Sequence, residues 1–342
     1  MSMSWSLPPG VRLRALDVTS DAELGAAFSV ASACELAAIG WTDETPESIR
    51  ATLLGPQGLR AGHRLAVEGT EPVGLLEVEL DRHARELFLD AYAVGPDGSA
   101  IERALLEDGL RTALDIASSE PAPPLSSDAD PYQLSPDIWQ VLTGSYVQDH
   151  PYVGVLESLG FRPIRRFWRM LCSLEGVPAV EPDPPAGVTK RVVAGEADRR
   201  LLHELYETSF AEHFGSTPDE PFEEWIARVE ANPGNDPNRW WIAELEGHPA
   251  GLCILDDSKA EFDEGYVRTL GVLKEARGRG IGRWLLQCGA VDAARRGRSS
   301  IALGVDGENT TGATALYESV GYVIRQEIDV YCYPLLDTDP SR

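Results

Sequence analysis

The feature that most constrains this chain of 342 residues is an internal repeat. Three segments recur in the same order along the chain: 66–75 as 243–252, 156–161 as 317–322, and 11–14 as 188–191. Collinear matches of this kind are typical of a duplicated domain. The sequence therefore predicts one folding unit that occurs twice.

Two Pro-rich stretches divide the repeat. The stretch at 118–137 falls late in the first copy and accounts for the shorter spacing between the later matches. The stretch at 176–187 has strand or helix patterning on both sides, which is typical of a linker. We therefore predict a first domain over 1–175, a linker over 176–187 and a second domain over 188–342.

Hydrophobic periodicity in the second copy predicts an α/β fold with a mixed sheet. Strands are expected at 188–193, 240–245, 250–255, 266–272, 301–305 and 324–333. Helices are expected at 197–214, 220–229, 281–294 and 311–320. The turn at 246–249 joins two apolar runs and predicts a hairpin.

The net charge of −25 excludes several classes of partner. A chain this acidic repels phosphates, so sequence-independent binding to nucleic acid or to an anionic membrane is not expected. No uninterrupted apolar run is long enough for a membrane span, and residues 1–10 do not resemble a signal peptide, so we expect a cytoplasmic protein. The acidity suits a cationic small molecule instead.

The five cysteines are odd in number and widely spaced, with no CxxC pair. This spacing predicts neither a disulfide framework nor a zinc site, and we expect reduced thiols and no metal.

Residues 270–283 carry the strongest chemical signal. A strand ends, a Gly-rich turn follows and an amphipathic helix begins, which makes a backbone anion site. Residues 274–298 hold seven basic side chains against two acidic ones, within an otherwise acidic chain. A P-loop would need Lys-Ser/Thr after the last glycine, and Arg283-Trp284 stands there. A dinucleotide fingerprint would need a third glycine, where Leu285 stands.

The remaining reading is the Arg-x-x-Gly-x-Gly loop that cradles the pyrophosphate of coenzyme A, and here the chain resembles the GNAT superfamily of N-acetyltransferases. The resemblance covers residues 188–333 and implies two tandem GNAT folds with acetyl-CoA as the co-substrate. It implies cofactor contacts at Leu270, Gly271, Val272, Arg277, Gly278, Arg279, Gly280, Ile281, Gly282, Arg283 and Asn309. Lys274 departs from the proline that is common in the family.

The resemblance also implies catalytic residues. Tyr317 matches the tyrosine that protonates the leaving thiolate, and Glu264 is the candidate base for the attacking amine. Each has a structural alternative: Tyr317 as a core residue on an apolar helix face, and Glu264 as a loop charge. Asn309 fits a helix N-cap equally well.

The first copy lacks this apparatus. Alignment of the two copies places Asp97 at the position of Arg277 and Glu102 at the position of Gly282. The position of Tyr317 is occupied by Leu156 in the first copy. An acidic residue would repel the phosphates, so we expect the first domain to keep the fold without turning over coenzyme A.

The functional expectation is an acetyl-CoA-dependent N-acetyltransferase that acts on a small, cationic amine by direct attack in a ternary complex, as a monomer or homodimer. Two alternatives stay open. One is a non-catalytic acyl-CoA sensor, and the other is acetylation of a cysteinyl-sugar, because the tandem architecture resembles the mycothiol synthase group of actinobacteria. In that group a glutamate on the strand before the loop is implicated as the base, and Tyr266 stands in the nearest register here.

Overall fold

The computed structural model describes most of the chain. The described residues are 7–42, 44–122, 130–211, 220–232, 234–308 and 312–336. By packing, these residues form two compact units: the first joins the stretch up to Arg166 with the stretch from Ile328 onward, and the second is Phe167–Glu327.

The first unit contains β1 (Val11–Ala15), α1 (Asp21–Ile39), α2 (Pro46–Leu54), β2 (Arg64–Glu68), β3 (Glu71–Asp81), β4 (Glu86–Ala93), α3 (Gly98–Ser119), β5 (Gln140–Tyr146) and α4 (His150–Leu159). The strands β1 to β5 pair in chain order, antiparallel except for the parallel pair β4–β5. Helix α3 packs on one face of β3 and β4, and α1 with α2 packs against the same strands in a separate apolar cluster.

The second unit repeats this plan. It contains β7 (Val188–Val192), α5 (Gly195–Phe210), α6 (Phe222–Glu230), β8 (Asn235–Leu245), β9 (His248–Asp256), β10 (Glu264–Val272), α7 (Ile281–Arg295), β11 (Ser300–Asp306) and α8 (Ala313–Glu318). Helix α7 covers one face of the sheet, while α5 and α6 share a core with the opposite side chains of β8 and β9. The mixed α/β class and the 246–249 hairpin are confirmed.

Two long strands contribute to both units. Strand β6 (Arg162–Ser173) pairs with β11 through its residues 167–173, and strand β12 (Val323–Pro334) pairs with β5 through residues 328–334. Each unit is thus completed by a strand segment from the other copy of the repeat. Sequence patterning shows a strand but not its partner, which explains why the exchange was not predicted.

The segment 176–187 packs against the second unit. The Trp284 indole N–H donates to Pro182 O at 2.9 Å, and Arg295 Nε donates to Ala179 O at 2.9 Å. Both donors lie on α7, so this segment lies along the helix. The domain limits 1–175 and 188–342, which we placed from the internal repeat in the sequence, remain a prediction.

Helix α1 is long and apolar enough to cross a membrane by length and composition, although the sequence reading expected no such helix. In the structure it packs into the first unit through Leu24, Ala27, Val30 and Ala31. About 33% of its apolar window is buried in this way, and a single helix of this kind is weak evidence for a membrane span.

Candidate active site

The candidate site begins where β10 and β11 stop pairing. The two strands are parallel and in register only from Glu264 to Val267 on β10, opposite residues 300–303. A register shift between Val267 and Thr269 places one extra residue, Arg268, on β10 opposite β9. Bulges of this kind bend a strand and end its pairing, so the two strands diverge beyond this point.

A cavity of about 500 Å³ opens in the gap. Its walls are the diverging strand ends, the loop before α7, the start of α7 and helix α8. Among the lining residues are Leu270, Gly271, Val272, Arg277, Gly278, Gly280, Ile281, Gly282, Arg283 and Tyr317. The structure therefore brings together most of the positions that the resemblance implies for coenzyme A.

The main chain of β10 presents donors to this cavity. The Leu273 N–H donates to Ala250 O on β9 at 2.9 Å. Because N–H groups alternate along a strand, those of Leu270 and Val272 point away from β9, toward the gap. Two preorganised N–H groups at such a place can bind a carbonyl oxygen or an oxyanion.

The loop before α7 is shaped by glycines. Gly278 and Gly280 have φ of 75° and 82°, in the left-handed region that side chains disfavour. Gly280 is the N-cap of α7, and no side chain of the described residues caps the helix. The first N–H groups of α7 are therefore open to an anion, with the positive end of the helix dipole behind them.

Two arginines among residues 274–298 lie at the cavity wall. Arg277 Nε donates to Val272 O at 3.1 Å and Arg283 donates to Ser319 O at 3.3 Å, so both are held at the cavity wall. Arg279 is exposed on the same loop and does not line the cavity.

Three further arginines serve the packing of the second unit instead. Arg296 and Arg298 bind the carboxylate of Asp257, and Arg295 binds the 176–187 segment. Only part of the basic cluster seen in the sequence is thus available to a phosphate.

Tyr317 lies on α8 and lines the cavity, with 9% of its surface exposed. Burial raises the pKa of its phenol to about 12. The group therefore stays protonated across the physiological range, and it is a weaker acid than a free phenol, whose pKa is about 10.

Glu264 lies outside the cavity wall. Its carboxylate accepts a hydrogen bond from Arg169 on β6 at 2.5 Å, and both side chains are largely buried. The carboxylate is thus part of an ion pair near the start of β10, on the paired side of the bulge.

Several lining residues were missed from the sequence. Arg268, the bulge residue, donates from Nε to the buried Asp256 carboxylate at 2.8 Å and from Nη2 to Ser258 Oγ at 3.2 Å. Ser209 on α5 lines the cavity beside Gly271, and its buried hydroxyl has no hydrogen-bond partner among the residues that the structure describes. No sequence signal predicts the bulge at Arg268 or the position of α5.

Asn309, expected to contact pantetheine, lies outside the described residues. Among the described residues, no group of three or more His, Cys, Asp or Glu side chains is arranged to hold a metal ion.

Comparison with known proteins agrees with this geometry. Residues 200–322 match the model of the acetyltransferase (GNAT) family. The fold resembles a GCN5-related N-acetyltransferase from Sphaerobacter thermophilus, with a TM-score of 0.75 and 24% identity over 96% of this chain and 97% of that one. It also resembles a tandem GNAT protein from the clavulanic acid biosynthesis pathway, with a TM-score of 0.69 and 15% identity over 96% of this chain and 100% of that one. This chain has a tandem GNAT fold.

The curated proteins to which this chain is similar include mycothiol acetyltransferases. The one from Thermobispora bispora is 31% identical over 51% of this chain and 58% of the relative. The one from Salinispora arenicola is 30% identical over 51% of this chain and 57% of the relative. The matched stretch therefore spans less than two thirds of either relative.

The N-terminal unit also has diverging strands, but the start of its helix α3 differs from that of α7. Strand β4 pairs with β5 only over Glu86–Phe88, so the gap is present. Glu102 on α3, aligned with Gly282, is buried, and burial together with the nearby Asp149 charge raises its pKa to about 8. A buried carboxyl group thus stands where the other unit has a glycine.

Proposed function

We propose that this tandem GNAT protein is an acetyl-CoA-dependent N-acetyltransferase whose chemistry is confined to the C-terminal unit. The observation that carries the proposal is the cavity between β10 and β11. It combines main-chain donors of Leu270 and Val272, the open N-terminus of α7 and the phenol of Tyr317. An acyl thioester, a pyrophosphate and a leaving thiolate need these three features.

In the proposed reaction an amine attacks the acetyl carbonyl directly, in a ternary complex. The N–H groups of Leu270 and Val272 donate to the carbonyl oxygen, and their bonds strengthen as that oxygen becomes an anion. The loop at 277–283 holds the pyrophosphate, with Arg277 and Arg283 beside it. Binding at both ends fixes the carbonyl relative to the amine.

Tyr317 then donates to the thiolate sulfur as the C–S bond breaks. With a pKa of about 12, the phenol transfers a proton to a thiolate less readily than a free phenol would. The sulfur leaves into the same poorly solvated cavity, where its own proton affinity rises because desolvation disfavours the anion. Tyr317 therefore acts by a hydrogen bond that strengthens with the charge on sulfur.

Deprotonation of the amine is assigned to Glu264 through water, since the carboxylate does not reach the cavity wall. The ion pair with Arg169 fixes the position of the Glu264 carboxylate. We expect the acceptor to bind along the part of β10 that carries Glu264, Tyr266 and Arg268. An amine that binds in its neutral form would not need this step.

The acceptor is proposed to be a small amine. The net charge of −25 supports a cationic acceptor. A second candidate, the amine of a cysteinyl-sugar, is supported by the mycothiol acetyltransferase relatives. For the compartment we propose the cytoplasm, which the five free thiols support.

One assay separates these candidates from an acyl-CoA sensor. Release of free coenzyme A thiol from acetyl-CoA is followed with a cysteinyl-sugar, an aminoglycoside, a polyamine and a peptide, against a control without acceptor. We expect acceptor-dependent thiol release with one of the small amines. Tight binding of acetyl-CoA without release for any acceptor would contradict the enzyme and favour the sensor.

A further inference from the structure

Arg268 is a charged side chain at the wall of the cavity in the C-terminal unit. It is the extra residue of the β10 bulge, and bulges often redirect side chains next to active sites. Its Nε donates to Asp256 Oδ2 at 2.8 Å, and its Nη2 donates to Ser258 Oγ at 3.2 Å. The Ser258 hydroxyl in turn donates to Asp256 Oδ1 at 2.6 Å. These contacts fix one edge of the guanidinium.

The other edge of the guanidinium is available to a ligand. Arginine carries its N–H groups in a planar fork, and the bonds to Asp256 and Ser258 occupy the edge formed by Nε and Nη2. The edge formed by Nη1 and the second N–H of Nη2 makes no hydrogen bond to a described residue. The Arg268 side chain is 32% exposed, whereas that of Asp256 is 3% exposed. A pair of parallel N–H groups on a fixed guanidinium suits oxygen atoms of a ligand.

Tyr266 connects Arg268 to the strand across the gap. The Arg268 Cζ atom lies 4.5 to 5 Å above this ring, at 4.6 Å from its centroid. On β11, a Cβ on Gly304 would lie 3.4 Å from the Tyr266 hydroxyl. Side chains two residues apart on a strand share a face, so Asp306 lies on the same face of β11 as Gly304. Asp306 lines the same cavity, which therefore has a guanidinium on β10 and a carboxylate on β11.

The two charged groups lie at different distances from the proposed site of attack. The pairing of β11 with β10 ends at Leu303, so Asp306 stands beyond it, alongside the open gap. The N–H groups proposed to hold the acetyl carbonyl belong to Leu270 and Val272, on the other side of this gap. Arg268 precedes them on β10, and its side chain turns back to Asp256, so the guanidinium lies on the order of 10 Å away along the strand. An acceptor that spans the cavity would place its amine near Asp306 and its far end near Arg268.

We propose that Arg268 is a specificity-determining residue that binds an oxygen-bearing group, a carboxylate or a hydroxyl, at the far end of the acceptor amine. The inference rests on the acetyltransferase activity proposed above, and it names the substrate class of that site. The acceptor is a primary amine whose oxygen group lies several bonds from the nitrogen. A second ammonium group at that end is disfavoured, since Arg268 offers only N–H donors and a positive charge.

The competing account is that Arg268 serves only to neutralise Asp256. Leaving a buried carboxylate unpaired is costly, so the pair could be purely structural. A structural pair would not respond to the group at the far end of the acceptor. Selectivity among acceptors, and not the overall rate, therefore separates the two accounts.

The test is acceptor selectivity within a series of amines of similar length: ε-aminocaproate, aminohexanol, hexylamine and hexamethylenediamine. Release of thiol from acetyl-CoA gives kcat/KM for each amine, and each is also measured as an inhibitor of any other acceptor that releases thiol. We expect an oxygen-bearing amine to exceed the diamine about tenfold or more, a ratio typical of a hydrogen bond to a charged group. Comparison of the carboxylate with the hydroxyl shows which oxygen group Arg268 binds.

Arg268→Gln should remove this preference, and Arg268→Lys should restore only part of it, because lysine keeps the charge without the planar fork. Since Arg268→Gln leaves Asp256 unpaired, a double variant with Asp256→Asn removes both charges and preserves the fold. Arg298→Gln is the matched control, because Arg298 pairs with Asp257 and does not line the cavity. The affinity for acetyl-CoA should be unchanged in each variant, since the loop at 277–283 is not altered.

Circular dichroism checks that each variant is folded. A preference that persists in the folded double variant would overturn the inference and leave Arg268 as a structural partner of Asp256. A wild-type preference for hexamethylenediamine would also overturn it, as would the lack of both turnover and inhibition by the oxygen-bearing amines. Thiol release with none of these amines and none of the acceptors named above would overturn the proposed function, and the role of Arg268 with it.

Discussion

At the residue scale, Tyr317 carries the clearest assignment because two properties coincide in it. It lines the cavity, and its burial keeps the phenol protonated well above neutral pH. Neither property alone distinguishes a tyrosine that acts as a general acid from a tyrosine that only packs in the core. Tyr322 provides the comparison, because its ring centroid lies 6.1 Å from that of Tyr317 but it does not line the cavity. Its buried hydroxyl has no hydrogen-bond partner within the described part of the chain.

We predict that Tyr317→Phe lowers kcat roughly 10²-fold or more, the range typical of a positioned acid, while the affinity for acetyl-CoA stays unchanged. Tyr322→Phe should leave both unchanged, because the Tyr322 hydroxyl lies away from the cavity wall and makes no hydrogen bond to a described residue. Initial rates and calorimetric binding measure the two effects. Equal turnover in the two variants would remove the acid role.

The pH dependence follows from the same groups. Because the pKa of Tyr317 is about 12, its deprotonation should not reduce the rate below pH 10. If Glu264 accepts the proton through water, Glu264→Gln should flatten the acidic limb of the pH–rate profile, while the exposed Glu261→Gln should not. An unchanged acidic limb in Glu264→Gln would show that the amine binds neutral or that another base acts.

At the element scale, the start of α7 is the part of the site that depends most on backbone conformation. Gly280 has φ of 82°, and a Cβ there would lie 3.3 Å from Pro185 Cγ. Gly297, just after α7, has φ of 80° with nothing within 4 Å of a Cβ. The two glycines share the strained conformation but only Gly280 belongs to the loop.

We therefore predict that Gly280→Ala and Gly297→Ala each lower the free energy of unfolding by about 1–2 kcal/mol, the cost of a left-handed non-glycine residue. Only Gly280→Ala should also weaken acetyl-CoA binding, because it disturbs the N–H groups that face the pyrophosphate. Denaturant unfolding and calorimetry separate the two quantities. Equal loss of binding in both variants would mean that stability alone is responsible.

The elements also show how far sequence reasoning reaches. The loop at 277–283 was predictable because glycine and arginine act locally, through backbone freedom and charge. The bulge at Arg268 was not, since it depends on the register of β10 against β9. The Arg169 partner of Glu264 was hidden for the same reason, because β6 reaches β11 only through the exchange of strands.

At the scale of the whole molecule, the duplication has left two units with opposite local chemistry. The C-terminal unit presents glycines and arginines at the start of α7, whereas the N-terminal unit presents Asp97 and Glu102 at the start of α3. The net charge of the whole chain does not show this difference between the two units. The acidic chain carries one basic loop, at the start of α7, and acidic residues at the start of the corresponding helix α3.

This division predicts one acetyl-CoA site per chain. In the N-terminal unit Glu102 occupies the position of a glycine, and with a pKa of about 8 it is ionised above that pH and repels phosphate. Calorimetric titration of the full chain with acetyl-CoA at pH 8.5 should give a stoichiometry of one, and Gly280→Ala should weaken that same site. Two equivalent sites, or one site unaffected by Gly280→Ala, would place coenzyme A binding in the N-terminal unit and reverse the assignment of the chemistry.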